Sequence, residues 1–153
     1  KDRNCFNKIK KVTKNSYLTF PIKKKDLIKC ILDNRNNLKK ISNIVHPIVR
    51  KKLRNFLNKN RFKKIVVLDI PLFLENKLNK KRDIIIFIQA KKKDIKKRLI
   101  SRNGYNSKII KELKKIQLPL SFKKKKSNFI IKNDFNYKTA KNYVKIILDH
   151  IYK

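Results

Sequence analysis

With 153 residues, the chain suits one domain and is long enough to bury a sizeable core. At 41% hydrophobic residues it is too apolar for a disordered polyelectrolyte, although 36% of its residues are charged. Lys and Arg number 45 against 10 Asp and Glu, a net charge of +35, so the field around the chain attracts polyanions.

The cationic excess is nearly all lysine. Arginine is confined to Arg3, Arg35, Arg50, Arg54, Arg61, Arg82, Arg98 and Arg102. Paired recognition of base edges and phosphates favours the planar guanidinium over an ammonium. Lys, Asn and Ile, all with AT-rich codons, dominate throughout, so the charge reads more as coding bias than as a binding surface. No specific nucleic acid is expected, and a basic RNA- or ribosome-binding protein without catalysis stands as the rival reading. Cys5 and Cys30 lie far apart with no C-x-x-C pairing, which argues against a metal site or disulfide framework and for a reduced cytoplasmic compartment. The longest apolar stretch, 65–74, is broken by Asp69 and Pro71 and is too short to cross a bilayer, so no membrane partner is expected.

Along the chain, residues 1–22 show no clear pattern before Pro21. Over 23–33, Leu27, Ile28, Ile31 and Leu32 recur at helical spacing. A second helix carries Leu38, Ile41, Ile44, Val45, Ile48, Val49, Leu53, Phe56 and Leu57 on one face, and Pro47 within it predicts a kink or restart. Residues 64–69, 83–89 and 128–132 are short apolar runs, predicted as buried parallel strands. Helices are predicted over 91–102, over 107–117 with Ser107 as N-cap, and over 136–152, with a basic turn or short helix at 120–126. Strands separated by helices predict an α/β fold, a parallel sheet with helices on both faces.

Four segments carry chemistry. At 68–76, Asp69, Pro71, Leu72, Phe73 and Glu75 follow a strand, and open α/β sheets bind ligands at the carboxyl ends of their strands. Spacing alone slightly favours a strand end at which Asp69 simply caps a loop. Arg98 and Arg102, four apart on one helix face, could clamp phosphate oxygens or form a solvated basic face. Gln117, Lys123 and the strand-ending Asn133 suit contacts to a nucleotide, or an ordinary helix and turn. His46, beside Pro47, is a ligand contact or a buried, hydrogen-bonded histidine.

In this order and spacing the segments resemble the dephospho-coenzyme A kinase family. Leu38, Ile41, Ile44, His46, Pro47 and Val49 match one family stretch, and Asp69 to Glu75 match its Asp-x-Pro-Leu-Leu-Phe-Glu with Phe73 and Leu74 interchanged. Asp83, then Arg98-Leu99 with Arg102, then Gln117, Lys123, and Ile131 with Asn133 follow in family order. Lys24 stands loosely at a family arginine, with Leu27 kept. The likeness covers residues 22–151. Ile95 departs from a family Gln, and Ser127-Asn128 from a small-acidic pair.

The resemblance implies a P-loop kinase fold, a three-layer parallel sheet, and transfer of the γ-phosphoryl of ATP, with Mg²⁺, to the ribose 3′-hydroxyl of dephospho-coenzyme A. It implies one partial kinase domain over 1–153: an acceptor-side region at 22–60, core at 61–90 and 127–153, and a lid at 91–126. By motif, Arg98 and Arg102 are lid residues on the phosphates, and Asn133, Gln117 and Lys123 lie on the ATP side. His46, Pro47, Leu72, Glu75 and Lys24 lie on the acceptor side, and Asp69 is a candidate Mg²⁺ holder through water. Another nucleotide kinase of the same fold is the nearer alternative.

A P-loop needs G-x-x-x-x-G-K-[ST], whose glycines let backbone N–H groups cradle phosphates, and this sequence has one glycine, Gly104. The family's early catalytic aspartate has no counterpart, since Asp2 is the only acid before Asp26. The chain opens on Lys1, so a preceding βα unit carrying the loop is expected, and the chain alone is expected to be inactive. In this fold the loop's strand lies between those predicted at 64–69 and 83–89, which leaves their edges unpaired without it.

Overall fold

The computed structural model describes residues 2–153. The chain divides into two compact units. One takes the chain up to Asp69 together with Asn106–Lys111; the other takes Ile70–Tyr105 and Glu112–Lys153.

The first unit is helical. Helix α1 spans Arg3–Thr13, where no clear pattern is read from sequence. The pattern exists: Cys5, Phe6, Ile9, Val12 and Thr13 form a covered stripe at helical spacing, diluted by the intervening lysines. Asp2 caps it, its Oδ1 accepting from the N–H of Cys5 at 2.9 Å. Lys10 and Lys11 complement the dipole in the last turn, and Lys14 ends the helix in the left-handed region at φ 54°.

Helices α2 (Lys24–Asp33) and α3 (Asn36–Lys59) follow, and α3 packs against both α1 and α2. Ile9, Leu18, Cys30, Ile31, Ile41 and Ile109 form the core, flanked by Phe6, Leu27, Ile28, Leu38, Ile44 and Val45. A polar bridge fixes the α2–α3 corner. Asn37, only 2% exposed, donates from Nδ2 to the Cys30 carbonyl at 2.8 Å, serving one of the carbonyls a helix end leaves orphaned.

Two expectations are corrected in this unit. Pro47 does not restart the helix: α3 runs through it for 24 residues. Proline removes one N–H and crowds one carbonyl, whereas Ile41, Ile44 and Val45 keep one apolar stripe against the core. Residues 64–69 form no strand, and Val67 is 83% exposed. An apolar run becomes a strand only where a neighbour takes up its backbone hydrogen bonds, and no ladder forms here.

In the second unit, β1 (Ile86–Gln89) and β2 (Phe129–Lys132) pair in parallel, with Ile86 opposite Phe129 and Gln89 opposite Lys132. Asn128 lengthens the pairing by one step, its Oδ1 accepting from the N–H of Ile85 at 2.8 Å. Between the strands in sequence come α4 (Lys92–Ile100), α5 (Ser107–Lys115) and α6 (Leu120–Lys125). Asn106, not Ser107, caps α5, its Oδ1 accepting from Ile109 N–H at 3.0 Å. Helix α7 (Tyr137–Ile151) packs on β2, with Ile131 and Ile147 buried and the Phe129 and His150 rings edge-on at 5.2 Å.

The α/β class is therefore the expected one, but among the described residues the sheet has two strands rather than three. Its strands are also not covered on both faces: Ile86 and Ile88 of β1 are 40% and 53% exposed. A two-stranded sheet leaves β1 with an open edge.

Candidate functional site

The parallel pair brings its carboxyl ends together. Asn133, just past β2, donates its N–H to the Gln89 carbonyl at 2.7 Å, closing the ladder at that end. The side chain of Asn133 then turns the chain, Oδ1 accepting from Phe135 N–H at 2.9 Å. Asp134 continues the turn by accepting from the N–H of Asn136 at 2.9 Å and the hydroxyl of Thr139 at 3.0 Å. The Asn136 N–H first, and the Thr139 hydroxyl after it, hold the Asp134 carboxyl below the usual carboxylate range. Asn136 caps α7, accepting from Lys138 N–H at 2.8 Å.

Phe135, within this turn, has φ 64°. The guanidinium carbon of Arg98 lies 4.7 Å from its ring centroid. The structure thus gathers Asn133 and Arg98 around one turn at the sheet's carboxyl end. Arg102 sits exposed in the turn after α4, its carbonyl accepting from Tyr105 N–H at 3.0 Å.

A second cluster in the same unit centres on Glu75. It lies in the turn 71–77, where Leu72 and Lys77 both take positive φ, 57° and 51°. Asn76 bonds the Leu72 carbonyl with both its backbone N–H, at 3.0 Å, and its side-chain amide, at 2.9 Å. Glu75 Oε1 accepts from Lys123 Nζ and from the N–H of Leu118. Desolvation is the largest single influence on this carboxyl and pushes upward, but the Lys123 and backbone hydrogen bonds together outweigh it and hold the group below the usual carboxylate range. Glu75 and Lys123, predicted on opposite sides of the reaction, are therefore partners of each other. Gln117 is exposed beyond the end of α5 rather than within it, next to the residue that Glu75 holds.

Lys24, His46, Pro47 and Asp69 belong to the first unit. Lys24 opens α2; His46 is half-buried on α3 and Pro47 exposed beside it; Asp69 is exposed. No group of three or more His, Cys, Asp or Glu among the described residues could hold a metal. Among the described residues no helix is long and apolar enough to cross a membrane.

Phe135 is the residue that sequence reasoning missed. Its signal was available: an aromatic directly after Asn133-Asp134, at the end of a strand, where turn residues are the rule.

The class is α/β, with amide, guanidinium and aromatic groups at the carboxyl end of a parallel pair, the end at which open α/β sheets as a rule take ligands. The sequence matches the family profile described as dephospho-CoA kinase over residues 1–139. A dephospho-CoA kinase of Bartonella quintana is 31% identical over 129 residues, 83% of this chain and 66% of the relative. One from the Wolbachia of Brugia malayi is 32% identical over 152 residues, 98% of this chain and 77% of the relative. One from Borrelia garinii is 39% identical over 109 residues, 71% of this chain and 53% of the relative. The chain belongs to the dephospho-CoA kinase family. Its matches span between 53% and 77% of these relatives' lengths.

Proposed function

We propose that this chain carries the acceptor and lid parts of an enzyme that transfers the γ-phosphoryl of ATP to the ribose 3′-hydroxyl of dephospho-CoA, a step of coenzyme A biosynthesis in the cytoplasm. The observation that carries this is the family match over 1–139, which takes in both Arg98 and the Asn133 turn at the sheet's carboxyl end.

Phosphoryl transfer asks the protein for positioning and charge neutralisation rather than covalent chemistry. Arg98 and Arg102 neutralise the phosphates, Arg102 from an exposed turn and Arg98 from beside Phe135. Asn133 presents its amide beside the adenine, with Gln117 and Lys123 on the same side. Lys24, His46 and Pro47, and separately Leu72 and Glu75, are assigned to the acceptor, each by its own motif. Glu75 acts through the α5–α6 corner, since its carboxylate is engaged by Lys123 and Leu118. Mg²⁺ keeps most of its waters and binds largely through substrate phosphates, so a single exposed carboxylate such as Asp69 suits it. When bound, Mg²⁺ supplies charge neutralisation at the phosphates.

These 153 residues carry no G-x-x-x-x-G-K-[ST] motif, and we infer that the enzyme's phosphate-cradling loop brings a further strand to the open edge of β1 and completes a three-layer sheet. The regional roles follow: acceptor side at 22–60, core at 61–90 and 127–153, lid at 91–126. A calorimetric titration of dephospho-CoA into the chain tests the acceptor assignment. Saturable binding weakened about tenfold by His46→Ala is expected. Binding of RNA but not of dephospho-CoA would transfer the assignment to the nucleic-acid reading.

A further inference from the structure

Phe135 is an aromatic residue in a conformation that favours glycine. Its φ of 64° lies in the left-handed region, where a bulky side chain is an outlier. The conformation is not slack, because side-chain bonds from Asn133 and Asp134 to the N–H groups of Phe135 and Asn136 impose it. A glycine would meet the backbone requirement with less strain, so what the phenylalanine adds is its ring. That ring contacts Arg98, whose guanidinium carbon stands 4.7 Å from the centroid.

We propose that Phe135 is a positioning residue, its ring the seat that holds the Arg98 guanidinium at the carboxyl end of β2 before a triphosphate arrives. The inference rests on the phosphate role given to Arg98 above. A guanidinium stacked on an aromatic face offers its N–H groups in its own plane, so seating Arg98 leaves its edges directed at oxygen acceptors. Arginine is a long, rotamer-rich side chain, and one already ordered loses less freedom on gripping phosphate. Arg98 lies in the last turn of α4, within the first part of the segment read as a lid, so the seat also ties that helix to the turn after β2.

The test is NMR of the isotopically labelled chain with a G-x-x-x-x-G-K-[ST]-bearing βα unit joined ahead of it, and with ATP as the probe. In the wild type the Arg98 side-chain signals are shifted upfield by the ring; Phe135→Leu abolishes the shift and Phe135→Trp keeps it. ATP moves the Arg98 signals, binding about 2–5-fold more weakly to Phe135→Leu than to wild type or Phe135→Trp. Phe135→Gly separates positioning from structure: it relieves the backbone and raises the melting midpoint, yet weakens ATP as Phe135→Leu does. An unshifted Arg98, or wild-type ATP affinity in both ring-less variants, overturns the seat. A ring-shifted Arg98 that ignores ATP overturns the phosphate role of Arg98 and the positioning role with it, so the two failures read differently.

Discussion

Glu75 offers one carboxylate oxygen, Oε1, to both Lys123 Nζ, at 2.5 Å, and the N–H of Leu118, at 3.0 Å. The two side chains are 10% and 20% exposed, so this is a largely sheltered pair that ties the turn 71–77 to the start of α6. Removing the carboxylate leaves a sheltered ammonium and a backbone donor without it. Glu75→Ala is expected to lower the unfolding free energy by about 1–2 kcal/mol in urea titrations. A double-mutant cycle with Lys123→Ala should show coupling; strict additivity would mean the pair is incidental.

Acid stability follows from the same group. A carboxyl whose folded-state pKa lies below its unfolded value binds fewer protons when folded, so its stabilisation is present above the unfolded value and is lost as pH falls through the folded one. Glu75 and Asp134 are both lowered. Stability should therefore decline from about pH 4.5 downward, and Glu75→Gln should flatten that decline. An unchanged acid limb in the variant would contradict the ion-pair account.

The alkaline limb has the opposite origin. The Tyr17 hydroxyl donates to Asp33 Oδ2 at 2.7 Å, and desolvation first, then this bond, raises the phenol's pKa. A raised pKa keeps the proton on the folded form, so the contribution is full below the ordinary tyrosine value near ~10 and fades as pH climbs above it. Tyr17→Phe should cost about 0.5–1.5 kcal/mol at neutral pH and soften the alkaline loss, read by thermal melts across pH.

Pro47 offers a case where stability and function part. It stands inside a continuous 24-residue helix. Pro47→Ala restores a backbone donor and removes a clash, so unfolding should become harder by about 1–3 kcal/mol. If Pro47 shapes the acceptor side, the same variant binds dephospho-CoA more weakly. A gain in both would remove Pro47 from the acceptor assignment.

The charge makes its own prediction. Ten carboxylates cannot pair with 45 cations, so most of the surface repels itself. Raising NaCl from about 0.05 to 0.5 M should raise the melting midpoint, because it screens that repulsion over shorter distances. A falling midpoint would show that attractive pairs dominate.

Much of this was legible in the sequence. Leu27, Ile28 and Ile31 announced α2 by period alone, and the runs around Phe87 and Ile130 announced a parallel pair. Local periodicity was blind to partners. Residues 64–69 read like the other two runs, but pairing depends on a neighbour that no local pattern specifies. Helix α1 was hidden because lysines between Cys5, Ile9 and Thr13 drown a real stripe. For the site, motif order identified Glu75, Lys123, Arg98 and Asn133 as polar groups of interest. It did not show that Glu75 and Lys123 hold each other, nor that Arg98 rests on Phe135, because both contacts join segments more than 35 residues apart.

The most direct measurement joins a G-x-x-x-x-G-K-[ST]-bearing βα unit ahead of this chain and follows ADP release from ATP, with and without dephospho-CoA. Release should require dephospho-CoA, fall at least about a hundredfold in Arg102→Ala, and be absent from the 153-residue chain alone. ADP release indifferent to the acceptor, or undiminished without Arg102, would contradict the assignment.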